Sequence, residues 1–114
     1  MSAITTHVLD TALGRPAAGA RVSLDRRDED GRWTSLCEAE TDQDGRARHL
    51  MPSGAPLMPG VYRLTFDTGR YFGLRSVPTL YPAVVIVFET VADQAHYHVP
   101  LLVSPFGYST YRGS

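Results

Sequence analysis

A surplus of charge of either sign is missing from this 114-residue chain: eleven basic residues, all arginine, face twelve acidic ones. Without a net field the chain has no electrostatic hold on nucleic acid or an anionic membrane, so neither is an expected partner. Cysteine is nearly missing too. Cys37 stands alone, which rules out an intramolecular disulfide, suits a reducing compartment and reads as a small, semi-buried hydrophobe. The longest apolar run, residues 83–88, is far short of the roughly 20 residues of a membrane span. Residues 1–7 carry no basic segment followed by an apolar stretch, so a soluble, cytoplasmic protein is expected. There is no Gly-x-Ser-x-Gly elbow, no phosphate-cradling glycine loop and no dinucleotide fingerprint, which leaves covalent nucleophiles and nucleotide cofactors without a seat.

What is present is a β-rich pattern. Short runs of Val, Ile, Thr, Tyr and Phe recur between clusters of Gly, Pro, Asp and Ser, as in an all-β sandwich or barrel. Strands are expected over residues 4–9, 21–27, 33–40, 46–50, 60–66, 83–90, 97–103 and 108–111. Residues 14–19 read as a turn, and Asp30-Gly31 and Asp44-Gly45 supply the positive φ of tight returns. One short helix is expected from Thr68 to about Arg75, with Asp67 or Thr68 as N-cap and Pro78 beyond its end. A chain of this length buries roughly 65% of its unfolded surface, enough for one domain over residues 1–114 without staples.

Strand alternation sorts the chemistry-bearing side chains. Within 97–103, Tyr97, Val99, Leu101 and Val103 share one face, and His98, Pro100 and Leu102 share the other with His96. If the odd face is core, the histidines point outward beside Leu102, Tyr108 and Tyr111. An outer face that apolar and aromatic is an expected contact between subunits.

Four histidines are the candidates for acid–base work. His49 reads as a solvated loop residue, and His7 as a strand histidine hydrogen-bonded to a neighbour. His96 and His98 have a spacing that zinc sites use, but two histidines do not fill the three or four protein ligands zinc requires, so no metal is expected. A neutral imidazole is instead suited to take a proton from water. Arg46 or Arg48 can offer a rigid fork of N–H donors to a planar, amide-rich or anionic ligand.

Several segments together resemble one family. They are Thr6-His7-Val8-Leu9-Asp10 with Gly14-Arg15-Pro16-Ala17, Thr41-Asp42-Gln43-Asp44-Gly45-Arg46, His96-Tyr97-His98-Val99-Pro100-Leu101-Leu102, and Tyr108-Ser109-Thr110-Tyr111-Arg112-Gly113-Ser114. The resemblance is to the 5-hydroxyisourate hydrolases, the transthyretin-related enzymes of urate breakdown, and it runs over essentially the whole chain. The Tyr-Arg-Gly-Ser ending is its most specific part, since it separates these hydrolases from transthyretin proper, a carrier of thyroid hormone. The resemblance implies a transthyretin-like sandwich of two four-stranded antiparallel sheets with a short helix between the fifth and sixth strands. It implies a homotetramer, a dimer of dimers whose central channel holds the active sites, and no cofactor. It implies catalytic roles for His7, Arg46, His98 and Ser114, and substrate contacts from His7, Arg46, Tyr111 and Arg112. Ser114 would act through its hydroxyl or its terminal carboxylate. Either His98 alone or the His7–His98 pair would be the base. A small-ligand carrier without catalysis is the alternative.

Overall fold

Alternating burial builds the first layer. The computed structural model describes residues 2–52 and 54–114. In it β3 (Arg21–Arg27), β4 (Trp33–Glu40), β6 (Gly60–Phe66) and β7 (Val84–Thr90) form an antiparallel sheet in the order β4-β3-β6-β7. Cross-strand partners stack apolar rows on its inner face: Leu24 opposite Leu64, Leu64 opposite Ile86, and Val22 opposite Phe66, which itself faces Val84. All are buried, and such rows are the unit that stabilises a sheet. A bulge shifts the register between Leu24 and Asp25, so both side chains are buried. Asp25 is matched across the sheet by Arg63, whose Nε and Nη2 lie 2.8 and 2.7 Å from its Oδ2.

The second layer is organised on β1 (Ile4–Asp10). Its sheet runs β10-β9-β1-β2, with β10 (Gly107–Thr110), β9 (Leu101–Ser104) and the two-residue β2 (Arg15–Pro16). Two more short pieces, β5 (Arg46–Ala47) and β8 (Tyr97–His98), also pair with β1. The all-β, two-sheet expectation holds, with two differences: this sheet has six strands rather than four, and it is mixed, because β8 and β9 run parallel to β1. The chain reaches them from β7 by crossing between layers rather than by a tight hairpin, and only a crossover allows parallel neighbours.

Other boundaries move for local reasons. The strand expected over 97–103 is split at Val99-Pro100, since proline has no N–H for the ladder. Side chains take the carbonyls freed there: Thr6 Oγ1 donates to Val99 at 2.6 Å and Thr110 Oγ1 to Pro100 at 2.7 Å. The strand expected over 46–50 ends at Ala47, and part of the turn expected at 14–19 pairs with Leu9 and Asp10 instead. The helix α1 covers Thr68–Gly73, with Asp67 accepting from the Arg70 N–H as N-cap, and it stops two residues earlier than expected.

Helix α1 is fastened to the end of β1 by a buried polar contact. Tyr71, 2% exposed, donates its hydroxyl to Asp10 Oδ2 at 2.8 Å, and Asp10 Oδ1 accepts from the Ala12 and Leu13 N–H groups. Burial and the bond to Asp10 push the Tyr71 phenol up to about 12. Replacing Tyr71 by Phe leaves a lone pair of the buried Asp10 carboxylate without its donor. Urea unfolding of Tyr71→Phe is expected to show a loss of about 1–3 kcal/mol, the cost of stranding such a group.

Candidate active site

Backbone pairing on both edges of β1 assembles the site. On one edge His7 lies opposite Arg46 of β5, and on the other Thr5 lies opposite His98 of β8. The tail then folds back. Gly113 N–H donates to the His98 carbonyl at 2.8 Å, forming an isolated antiparallel bridge. β5, β1, β8 and the tail therefore lie side by side, although β1, β5 and β8 are far apart in sequence.

Arg46 is set by the turn before it. Asp42 Oδ1 accepts from the Asp44 and Arg46 N–H groups at 2.9 and 3.0 Å, and Gly45 adopts φ +77°. An added Cβ at Gly45 would strike the Val8 carbonyl, so glycine is required twice over, by conformation and by space. The Arg46 N–H, the first of several contributions, holds the Asp42 carboxyl below its ordinary value.

A cleft of 420 Å³ opens on this face. Arg46, His98 and Ser114 line it, joined by His96, Thr5, Thr6, Arg48 and His49. His7 stands beside it in β1, half-buried, with Nε2 2.7 Å from the Asp44 carbonyl. A carbonyl only accepts, so His7 carries its hydrogen on Nε2, and in the neutral ring its lone pair is on Nδ1. His98 is also half-buried. Its pKa is lowered first by burial, then by the charges of Arg46, His7 and His96. His98 is therefore an uncharged imidazole at neutral pH, able to accept a proton. Its Nδ1 lies 2.8 Å from Thr5 Oγ1. Gly113 packs against its opposite edge, where an added Cβ would come within 2.6 Å of Cδ2. The glycine of the Tyr-Arg-Gly-Ser ending is what lets the tail lie on the histidine.

The remaining expected residues are placed elsewhere. Tyr111 and Arg112 line a separate 300 Å³ groove with Tyr97, Val99 and the β7 residues 86–89. Arg112 sits 4.7 Å over the Tyr97 ring and donates to Gln94 Oε1 at 2.8 Å. Within one chain, then, Arg46, His98 and Ser114 share a cleft, His7 borders it, and Tyr111 and Arg112 do not reach it. A larger cavity, 580 Å³ on the outer face of the first sheet, holds Arg21, Glu38, Glu40 and Asp67 but no histidine. Sequence reasoning missed Thr5, Thr6 and the contribution of His49, which is exposed as expected yet lines the cleft. For Thr5 a signal existed, since it lies two residues before His7 and so on the same strand face.

The chain belongs to the HIUase/Transthyretin family, whose model matches residues 4–113. It is 50% identical over 119 positions to the 5-hydroxyisourate hydrolase of Caulobacter vibrioides, with all of both chains covered. Among solved structures, the 5-hydroxyisourate hydrolase of Klebsiella pneumoniae is 38% identical with a TM-score of 0.84, covering 100% of this chain and 94% of that one. Sea bream transthyretin in complex with thyroxine has a TM-score of 0.90 at 29% identity, covering 98% of this chain and 95% of that one. Backbone shape is thus common to a 5-hydroxyisourate hydrolase and a thyroxine-bound transthyretin, and side chains must tell them apart.

The arrangement predicts the titration of His98. Arg46→Gln removes a positive charge that disfavours the imidazolium, so the His98 pKa should rise while remaining sensitive to burial. An NMR titration of the imidazole carbons checks it; an unchanged or lower value contradicts the charge coupling.

Proposed function

We propose that this chain hydrolyses 5-hydroxyisourate to 2-oxo-4-hydroxy-4-carboxy-5-ureidoimidazoline, a step of urate degradation. The observation that carries this reading is the cleft in which an uncharged His98, the Arg46 guanidinium and Ser114 converge. Identity of 50% to a named 5-hydroxyisourate hydrolase over the whole length supports it. In the reaction a water oxygen bonds to C6 of the ring, the C6–N1 bond breaks, one water proton goes to a base, and N1 leaves with a proton. His98, or His7 and His98 sharing a proton network, takes the water proton. Arg46 holds ring carbonyls and receives the negative charge that develops on oxygen, as a donor preorganised before the reaction. Ser114 orients the water or a histidine.

The working unit in this proposal is a homotetramer, a dimer of dimers, with clefts facing a central channel. Exposed Val85, Val87, Tyr108 and Tyr111 supply apolar surface for such contacts. Tyr111 and Arg112 then shape the pocket indirectly, by holding the tail, or meet substrate across a subunit contact. A cytoplasmic location suits the free Cys37. No helix among the described residues is long and apolar enough to cross a membrane. The alternative, a carrier without catalysis, draws on the likeness to sea bream transthyretin. It gives no use to a neutral histidine beside an arginine.

Hydroxyisourate generated in place by urate oxidase should lose its absorbance faster with the protein than without it. His98→Ala is expected to cut the rate about 10²–10⁴-fold, the usual contribution of a positioned acid–base group. If His7→Ala and His98→Ala both keep the full rate, the mechanism is wrong. Deleting Ser114 should lower turnover while light scattering still reports a tetramer; a fully active truncation contradicts the role of the tail.

A further inference from the structure

The Thr5 hydroxyl lies between two imidazoles, 2.8 Å from His98 Nδ1 and 3.3 Å from His96 Nε2. It is 9% exposed, so water competes little for it. A hydroxyl has one hydrogen to give, so it can donate to only one of the two rings and must accept from the other. If it donates to His98, that ring carries its own hydrogen on Nε2 and has no lone pair left to act as a base. If it accepts from His98, Nε2 keeps its lone pair, and the Thr5 hydrogen goes to His96.

The surroundings of the ring bear on this choice. The edge of His98 bearing Cδ2 is covered by Gly113, and no described residue bonds to Nε2, so the free ring nitrogen is the one left for the cleft.

We propose that Thr5 is a positioning residue: its hydroxyl holds His98 with the hydrogen on Nδ1 and the lone pair on Nε2, and links His98 to His96 as a one-proton relay. The proposal rests on the hydrolase reading for its kinetic part only. In the forward step the attacking water gives a proton to His98 Nε2. The Nδ1 proton moves to Thr5 Oγ1 while the Thr5 hydroxyl proton moves to His96 Nε2. One N–H bond forms and one breaks at His98, one O–H bond forms and one breaks at Thr5, and the positive charge ends on His96. The reverse shift restores the Nδ1 proton as the Nε2–H goes to the departing ring nitrogen, so no outside donor is needed.

The charged and titratable groups facing His98 set the direction of this relay. Burial first, then Arg46 of β5, His7 of β1 and His96 disfavour charge on His98, and Arg48 and His49 line the same cleft. Passing the proton to His96 removes the charge that Arg46 and His7 disfavour on His98.

Long-range 15N–1H correlation spectra of the histidine-labelled protein test the tautomer without substrate. The wild-type protein should show His98 with Nδ1 protonated and Nε2 bare, and Thr5→Val should lose that preference. Thr5→Ser, which keeps the hydroxyl, should retain it. In kinetics Thr5→Val should lower kcat about 100-fold, the scale of a misplaced catalytic group. KM should stay nearly constant, and the acid limb should move to lower pH because an acceptor for the protonated ring is gone. Thr5→Ser should restore most of kcat. His96→Gln keeps an acceptor for Thr5 but cannot take a proton, so it should preserve the His98 tautomer and still lower kcat. A wild-type His98 protonated on Nε2 overturns the proposal, as does a Thr5→Val protein with wild-type tautomer and kcat. A correct tautomer together with no acceleration of hydroxyisourate decay would instead remove the hydrolase reading and leave the positioning role standing.

Discussion

Everything in the candidate site hangs on the pairing of β1 along both of its edges. A strand at the rim of a sheet can hold side chains from one neighbour. β1 is flanked by β5 on one side and β8 on the other, so residues from three segments are fixed relative to one another by backbone hydrogen bonds. Such bonds space strands about 4.8 Å apart, the right scale for a water and a planar ring atom to sit among an imidazole, a guanidinium and a hydroxyl. The sandwich core holds β1 in place from below through Ile4 and Val8, which are 0% and 1% exposed.

The polar contacts divide into those that fix the scaffold and those that set charge. Asp10 with Tyr71, and Asp42 with its turn, satisfy backbone and buried groups around β1. Arg46, His7 and His96 act at a distance on His98, which they and burial hold uncharged. Charge of one sign gathered against a half-buried imidazole is how a protein keeps a base free at neutral pH.

Much of this was legible in the residues. The strands at 21–27, 33–40 and 60–66 match the structure to the residue; 60–66 alternates cleanly, while 21–27 is interrupted by its bulge and 33–40, at the sheet edge, is bounded by turn residues rather than marked by burial. The same alternation put Tyr97, Val99, Leu101 and Val103 in the core and turned His98 away from it. Parallel pairing of β8 and β9 with β1 was not legible, since alternation says which face is buried and nothing about direction. Nor was the path of the tail. Tyr111 and Arg112 adjoin Gly113 in sequence, yet stacking on Tyr97 draws Arg112 to one side of the strand while Gly113 bridges to His98 on the other. Thr5 went unnoticed because a strand threonine is ordinary until the histidines it touches, about 90 residues on, are placed beside it.

The distance along the chain between Thr5 and His98, 93 residues, gives the cleft a high closure cost during folding. Contacts of long sequence separation close only after the intervening chain has been ordered. A chain with the β4-β3-β6-β7 sheet complete and β1 unpaired would carry about half of the secondary structure and none of the cleft. Recovery of the site after denaturation therefore reports the pairing of β5 and β8 with β1, which the other sheet can form without.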